Sequence, residues 1–275
     1  MNRYQHLKHL LTLCKRLGLS HLDSLKLLAS YYFSRLGVSW PPFFVVHLSH
    51  AGKVLRIPLR PNGTDYKVLA DVFLNHFYKI EVSGVQTIID LGANIGLSTL
   101  YLKTLYPDAR VACVEPVPAN VEVLKQTLLL NGIDDAHVFL AAIGTDNGSA
   151  LLMLHSDPTA HSLVPSSSIG PLPSIEVPQI SVTSLMEQLG FTVIDLLKID
   201  IEGYEKTLFT SKTDWLDSTR YIVGEAHAHV NYGLLELQRD LSKHGFRVQQ
   251  EYQDPVYGMI IFTARRSDVE VAPVF

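Results

Sequence analysis

From residue 85 onward, apolar runs of strand length alternate with stretches that have the apolar spacing of helices. Strands that are apolar at nearly every position are typical of a parallel sheet whose two faces are both covered by helices. The runs lie at residues 85–91, 110–115, 136–143, 193–199 and 221–224. The alternation therefore predicts an α/β fold built on a mostly parallel sheet.

The end of the chain departs from this alternation. Residues 246–252 and 256–264 have strand character and are joined by Gln253-Asp254-Pro255, a connection too short for a helical crossover. Consecutive strands joined in this way pair antiparallel. We therefore expect an antiparallel C-terminal hairpin.

The first 53 residues have a helical rather than an alternating pattern. Apolar residues recur at helical spacing at Leu7, Leu10, Leu11, Cys14 and Leu17. After Gly18, Ser20 and Asp23 have the spacing of a capping box, which predicts a second short helix. We divide the chain into an N-terminal helical segment, residues 1–53, and one domain, residues 54–275. The segment is expected to act as a lid, as a substrate contact or as the contact of a homodimer.

Composition and charge exclude several classes of function. The net charge is −4, and acidic and basic residues are interspersed, so we expect no nucleic-acid partner. Two cysteines provide no disulfide framework. No stretch reaches the ~18 consecutive apolar residues of a membrane span, and the first thirty residues lack the pattern of a secretory signal. The expected protein is cytoplasmic and has no transmembrane segment.

A glycine-rich turn, Asp90-Leu91-Gly92-Ala93-Asn94-Ile95-Gly96, connects the first apolar run to the following helix. Glycines at 92 and 96 allow backbone to approach a ligand, and the helix N-terminus offers amides to a small anionic group. Glu115 ends the second run about twenty residues later, where a carboxylate can accept hydrogen bonds from ribose hydroxyls. The combination predicts a site for a ribose-containing cofactor, whereas the turn by itself could be a tight connection without a ligand.

Residues 156–178 contain five prolines and six serines, too many for a regular element. We expect a loop in which His161 and Ser162 either close over a substrate or lie on the surface.

Three segments carry a family resemblance. They are DLGANIGLSTLYL (residues 90–102), VEPVPANVEVLKQTLLLNG (114–132) and LLKIDIEGYE (196–205). In this order and spacing they resemble the FkbM family of methyltransferases, and the similarity covers roughly residues 54–262. The resemblance implies a Rossmann-like class I methyltransferase fold, with a mostly parallel seven-stranded sheet, and S-adenosylmethionine as the cofactor.

The resemblance also implies which residues hold the cofactor. The amino-acid end is expected near Gly92 to Gly96, the ribose on Glu115 and the adenine near Pro116. The full implied set is Thr64, Asp65, Asp90, Gly92, Asn94, Gly96, Glu115, Pro116, Asn120, Ala142 and Asp200. Considered without the resemblance, residues 62–65 show turn chemistry, and a structural role for Thr64 and Asp65 remains open.

Polar residues follow the fourth and fifth apolar runs. Asp200 and Glu202 come after the fourth, and Glu225, His227 and His229 alternate at the end of the fifth, so these three share one face. Because the carboxyl ends of parallel strands meet at one edge of a sheet, we expect the two groups to be neighbours.

Methyl transfer to a hydroxyl requires removal of its proton. We predict His227 as the general base, with Asp200 and Glu225 orienting it or the acceptor, and include Glu202 among the catalytic candidates. The alternative is a divalent metal such as Mg, held by Asp200, Glu225 and His227, which would acidify the acceptor hydroxyl. A third interpretation is a polar network without a catalytic role.

The expected function is O-methylation of a hydroxyl on a sugar or natural product, a small-molecule acceptor. A nicotinamide-dependent oxidoreductase is the second enzyme class, because Glu115 suits its ribose as well, but DLGANIG lacks the GxGxxG spacing that suits a pyrophosphate. A cofactor-binding interaction module without catalysis is a third class, since a fold does not guarantee chemistry.

Overall fold

The computed structural model describes residues 3–35, 43–153, 173–227, 232–254 and 258–269. The chain forms two compact units. The first consists of residues 1–77, 95–107 and 122–134, and the second of residues 78–94, 108–121 and 135–275. The predicted division at residue 53 stays a prediction.

The first unit contains helices and one β-hairpin. Its elements are α1 (Arg3–Arg16), α2 (His21–Arg35), β1 (Phe44–His50), β2 (Lys53–Leu59), α3 (Gly63–Phe73), α4 (Leu97–Leu105) and most of α5 (Pro118–Leu130).

The two expected N-terminal helices are present in the structure. The hydroxyl of Ser20 accepts a hydrogen bond from the backbone N–H of Asp23 at 3.0 Å, as the spacing predicted. Helix α2 buries Leu27 completely. The hydroxyl of its Ser30 lies 2.6 Å from that of Tyr66 on α3, so α2 is joined to α3 within this unit.

Helix α3 begins where a turn was expected, at residues 62–65. Asn62 caps the helix, because its side chain accepts a hydrogen bond from the backbone N–H of Asp65 at 2.8 Å. Four apolar residues then follow at helical spacing and are buried, namely Tyr66, Leu69, Val72 and Phe73. The turn residues are thus the start of a helix.

Gly96 allows α4 and α5 to approach each other. Its φ of 84° lies in the left-handed region, and a Cβ at this position would lie 2.5 Å from Cδ1 of Leu124 on α5. The hydroxyl of Thr127 donates to the carbonyl of Ile95 at 2.7 Å. Within the first unit this glycine therefore serves helix packing.

The second unit is built on strands. Its elements are β3 (Thr87–Leu91), β4 (Arg110–Glu115), β5 (Ala136–Leu140), β6 (Ala142–Gly144), β7 (Gly148–Met153), β8 (Ser174–Ser181), α6 (Val182–Leu189), β9 (Ile194–Ile199), α7 (Glu205–Thr210), a 3-10 helix (Asp214–Ser218), β10 (Thr219–His227), α8 (Leu234–Ser242), β11 (Phe246–Gln253) and β12 (Met259–Arg266).

The main sheet has seven strands in the order β11-β12-β10-β9-β3-β4-β5. Strands β5, β4, β3, β9 and β10 pair parallel, and β12 is antiparallel to both β10 and β11. Every residue of β9 is buried, as expected for a strand covered on both faces. The predicted α/β fold with its antiparallel C-terminal hairpin is confirmed.

A three-stranded sheet of order β6-β8-β7 corrects two expectations. The apolar run at 136–143 is two strands in different sheets, β5 and β6. Strand β8 begins at Ser174, inside the segment expected to be irregular. Proline has no backbone N–H, and Pro178 of β8 pairs only with Ser149 on β7. The pairing of β8 with β6 starts one residue later, at Gln179, so the proline does not interrupt the hydrogen bonds between these two strands. His161 and Ser162 lie outside the described residues.

The fifth expected strand is longer than predicted, since β10 continues to His227. Helix α7 follows the turn after β9 directly and was not anticipated. None of the helices formed by the described residues is long and apolar enough to cross a lipid bilayer.

Candidate active site

A cleft of about 600 Å³, including the part open to solvent, lies in the second unit at the carboxyl ends of β3, β4 and β9. Open parallel sheets bind ligands at this edge. The cleft is lined by Gly92, Asn94, Val114, Glu115, Pro116, Val117, Asn120, Ala141, Ala142, Ile143, Leu152, Asp200, Ile201, Glu202 and Tyr204. Seven of the predicted cofactor residues are in this lining, namely Gly92, Asn94, Glu115, Pro116, Asn120, Ala142 and Asp200.

Gly92 allows the turn after β3 to pack closely against the end of the neighbouring strand β9. Its φ is 74°, and a Cβ there would lie 1.8 Å from the backbone carbonyl oxygen of Asp200. The backbone N–H of Asp200 in turn donates to the carbonyl of Leu91 at 3.1 Å. The glycine is therefore required by a contact within the protein, and it brings the turn after β3 next to Asp200.

Glu115 organises the wall of the cleft at the end of β4. Its Oε2 accepts from the backbone N–H of Asn94 at 2.9 Å, and its Oε1 accepts from the N–H of Val117 at 2.9 Å and from Nδ2 of Asn120 at 3.0 Å. Burial raises the pKa of Glu115 despite these donors. The side-chain oxygen of Asn120 is buried without a hydrogen-bond partner among the described residues, which leaves an acceptor at the cleft.

Lys198, a charged residue in the buried strand β9, contacts the end of β3 and the turn that follows it. Its Nζ lies 3.1 Å from Asp90 Oδ1 and donates to the carbonyl of Gly92 at 2.7 Å. Burial would lower the pKa of Lys198, but the charges of Asp90 and Asp200 outweigh burial and raise it. Asp90, a predicted cofactor residue, is fully buried in this ion pair and is not part of the cleft lining.

Tyr78 connects two carboxylates at the edge of the sheet. Its hydroxyl lies 3.0 Å from Asp200 Oδ2 and 2.8 Å from Glu225 Oε1. Burial, and next the charge of Asp200, raise the pKa of Glu225 to about 8. The other oxygen of Asp200, Oδ1, is buried and has no hydrogen-bond partner in the described part of the chain.

His227 lies between two glutamates. Its Nδ1 is 3.0 Å from Glu205 Oε1, and its Nε2 is 3.4 Å from Glu202 Oε2. Burial would lower the pKa of His227, but the neighbouring charge of Glu205 outweighs it and raises the pKa well above its usual value. Burial likewise opposes the ionised form of Glu205, yet His227 holds the pKa of this carboxyl below its usual value.

Glu205 also organises the turn that carries Glu202. Its Oε1 accepts from the backbone N–H groups of Ile201, at 3.3 Å, and Gly203, at 3.2 Å. Glu202 has a φ of 53°, which is uncommon for a residue other than glycine. The same carboxylate therefore positions both the imidazole of His227 and the turn after β9.

The two predicted groups of polar residues are neighbours, as expected, but the arrangement differs in one residue. Asp200, Glu202 and His227 offer ligand atoms that all lie within 4.8 Å of one another. Glu225 was predicted as their partner, but its Oε1 is instead bonded to Tyr78. Both ring nitrogens of His227 face carboxylates, so its predicted role as general base gains no support from the geometry. His229 lies outside the described residues.

The first unit contains three of the predicted cofactor residues, namely Thr64, Asp65 and Gly96. The glycine-rich turn is thus divided between the two units after Asn94. Asp65 is buried in the first unit, with its carboxylate 2.8 Å from Nη2 of Arg60. A cofactor role for Thr64 and Asp65 stays a prediction.

Sequence reasoning missed Tyr78, Lys198 and Glu205. A signal existed for Lys198, because a charged residue inside an apolar strand needs a buried partner. Glu205 ends the quoted segment LLKIDIEGYE but was assigned no role. For Tyr78, no spacing or motif pointed to the site.

A solved structure of a methyltransferase has a similar fold. The crystal structure of Methyltransferase FkbM from Methylobacillus flagellatus KT has a TM-score of 0.50 and 14% identity, over 94% of this chain and 59% of that chain. At this identity the likeness concerns the fold.

Among curated proteins, Methyltransferase sdnD of Sordaria araneosa is 40% identical over 65 residues, which is 23% of this chain and 25% of the relative. Methyltransferase 1 of Beauveria bassiana (strain ARSEF 2860) is 25% identical over 145 residues, or 46% of this chain and 58% of the relative. The 31-O-demethyl-FK506 methyltransferase FkbM of Streptomyces tacrolimicus is 25% identical over 208 residues, 65% of this chain and 78% of the relative. The matches thus span less than two thirds of the length of the first two relatives.

The sequence profile of the Methyltransferase FkbM domain matches residues 90–248, more than half of the chain. The matched region runs from the turn after β3 through the carboxylate and histidine cluster. This chain belongs to the FkbM family of methyltransferases.

Proposed function

We propose that this methyltransferase uses S-adenosylmethionine to methylate a hydroxyl oxygen of a small molecule, a sugar or a natural product. The observation that carries the proposal is the composition of the cleft. It combines Glu115, a strand-end carboxylate of the kind that binds ribose, with Asp200, whose buried Oδ1 has no hydrogen-bond partner among the described residues.

The residues that line the cleft suit the chemistry of S-adenosylmethionine. Glu115 accepts three hydrogen bonds, and of its roughly four acceptor positions one, on Oε2, is left for a ribose hydroxyl. Asn120 offers its unsatisfied oxygen, and apolar Ile143 and Leu152 provide a surface for a purine ring.

The cofactor, when bound, supplies a methyl group on a sulfonium sulfur. Its transfer breaks the sulfur–carbon bond, forms an oxygen–carbon bond and requires the hydroxyl proton to leave. Asp200 and Glu202 line the cleft and are the proposed contacts of the acceptor hydroxyl. The proton leaves either to a side chain directly, with His227, the predicted base, and Asp200 as the candidates, or from a hydroxyl acidified by a divalent metal.

The name of the Streptomyces tacrolimicus relative, a 31-O-demethyl-FK506 methyltransferase, supports an oxygen acceptor in a natural product. The interspersed charge of this chain supports a small molecule over nucleic acid. A homodimer through the N-terminal helices and a cytoplasmic location complete the proposal. A nicotinamide cofactor gains no support from the lining or the relatives.

Transfer of an isotope-labelled methyl group from S-adenosylmethionine tests the proposal. The purified protein is incubated with small-molecule extracts, and labelled products are identified by mass spectrometry. Label on an oxygen of a small molecule is expected, and Glu115→Gln should strongly reduce it. Label on nitrogen or on nucleic acid, or bound nicotinamide absorbance, would contradict the proposal.

A further inference from the structure

We infer that Asp200, Glu202 and His227 form a binding site for one divalent metal ion of the Mn²⁺ or Zn²⁺ class. The site lies where the acceptor is proposed to bind, because Asp200 and Glu202 both line the cleft. The role of the ion in removing the hydroxyl proton rests on the proposed function. The existence of the site does not.

The three side chains lie close enough together to approach one ion. One oxygen of each carboxylate and one ring nitrogen of His227 all lie within 4.8 Å of one another, and Nε2 is 3.4 Å from Oε2 of Glu202. Two ligand atoms that are each about 2.1 Å from a tetrahedral ion lie roughly 3.4 Å apart. The His227 and Glu202 side chains therefore already have the separation of two ligands.

Glu205 holds the histidine as a ligand. Metal-binding histidines almost always use their second ring nitrogen to contact a carboxylate or carbonyl, which fixes the ring orientation. Here Nδ1 of His227 lies 3.0 Å from the carboxylate of Glu205, which is completely buried, and Nε2 faces Glu202. This pairing directs the Nε2 atom towards the other two candidate ligands.

A second observation is an oxygen atom without a partner. Asp200 Oδ1 is buried at the cleft and has no hydrogen-bond partner in the described part of the chain. A buried polar atom without a partner is costly, and a cation bound by this oxygen would compensate that cost.

The donor set indicates the class of ion. Carboxylates suit Mg²⁺ and Mn²⁺, whereas an imidazole ligand favours transition metals such as Zn²⁺. Two carboxylates with one imidazole therefore favour Mn²⁺ or Zn²⁺ over Mg²⁺. An ion held by three side chains would keep positions for the acceptor hydroxyl and would lower its pKa, so that the hydroxyl proton passes to water as the oxygen–carbon bond forms.

Binding of Mn²⁺ to the full-length protein, without methyl donor or acceptor, tests the site. Isothermal titration and the loss of the free Mn²⁺ signal in electron paramagnetic resonance should both report one saturable site. His227→Ala and Glu202→Gln should each weaken binding at least 10-fold. Glu205→Gln should weaken it by about 10- to 100-fold, as expected for the group that orients a ligand.

Glu187→Gln is the matched control, since Glu187 is an exposed glutamate on α6 whose substitution removes the same charge. Its affinity for Mn²⁺ should be unchanged. Circular dichroism shows whether each variant is folded, and Glu202, which lies on a turn and is partly exposed, provides a test even if His227→Ala unfolds. Absence of saturable binding at millimolar Mn²⁺, or equal affinity in all variants, would overturn the inference. Binding of S-adenosylmethionine, measured separately, would still decide the proposed function.

Discussion

The carboxylate of Glu205 lies 3.0 Å from Nδ1 of His227, and the glutamate has no exposed surface. The same oxygen accepts hydrogen bonds from Ile201 and Gly203 in the turn after β9. One buried side chain thus couples the end of β10 to the turn that presents Glu202. Any change at Glu205 should therefore affect both sides of the candidate site.

Glu115→Gln should weaken binding of S-adenosylmethionine by about 10- to 100-fold, because it removes a charged acceptor for ribose hydroxyls. The amide also presents an NH₂ group to the donors of Asn94, Val117 and Asn120, so a modest loss of thermal stability is expected. Isothermal titration measures the affinity. Glu122→Gln, at an exposed position, is the control, and equal affinities of the two variants would show that Glu115 is not the ribose ligand.

His227→Ala should lower turnover by a factor on the order of one hundred or more with little change in cofactor affinity. If His227 is a metal ligand, chelation should inactivate the unmodified enzyme, and Mn²⁺ should restore activity. If it is a general base, chelation should have no effect, and the defect of the variant should shrink at high pH. Normal turnover of the variant together with insensitivity to chelators would contradict both roles.

Gly92→Ala should destabilise the protein by about 3 kcal/mol or more, because the new Cβ meets the backbone carbonyl of Asp200 and cannot be relieved by a side-chain rotation. Gly84→Ala separates the cost of the left-handed backbone from the cost of the steric clash. Gly84 has a similar φ of 72° but no atom within 4 Å of its Cβ position, so its cost should be about 1 kcal/mol. Thermal unfolding of both variants measures the difference, and similar melting temperatures would show that the turn after β3 can move away from β9.

Asp240 should make the stability of the protein depend on acid pH. Hydrogen bonds from Arg239, and also from Lys243, lower the pKa of Asp240 to about 2. A carboxyl whose folded pKa lies below its unfolded value of about 3.9 stabilises the protein above that pH. This contribution should be lost as the pH falls from about 4 to 2. Urea unfolding should show Asp240→Asn destabilised at pH 7 and the difference reduced near pH 3, whereas a constant difference would indicate a packing effect.

The exposed leucines of α2 test the predicted homodimer. Leu22 and Leu25 are 64% and 62% exposed in the single chain. If the N-terminal helices form a dimer contact, Leu22→Glu combined with Leu25→Glu should produce monomers in sedimentation velocity. Leu235→Glu, at an equally exposed leucine of α8, should leave the dimer intact. A monomeric unmodified protein would show that the prediction is wrong.

Local sequence was sufficient where the physical determinant is local. The mainly apolar pattern of β9, the short connection between β11 and β12, and the Ser20 cap of α2 all depend on neighbours in sequence. Local sequence was insufficient where the same residues suit two structures. Residues 62–65 suit both a turn and the start of a helix, and the buried apolar residues that follow them stabilise the helix.

The sequence by itself determined the strand and helix alternation, the edge of the sheet where the cleft lies and several of the residues that line it, because these follow from apolar periodicity and from the fact that parallel strands end together. The tertiary structure decided which side chains pair. Tyr78 reaches Glu225 across 147 positions of sequence, and Nδ1 of His227 lies beside Glu205, a residue to which the spacing assigned no role. Such choices depend on the distances between strands packed side by side and on the cost of leaving a buried charge unpaired, and neither quantity is encoded in the spacing of residues along the chain.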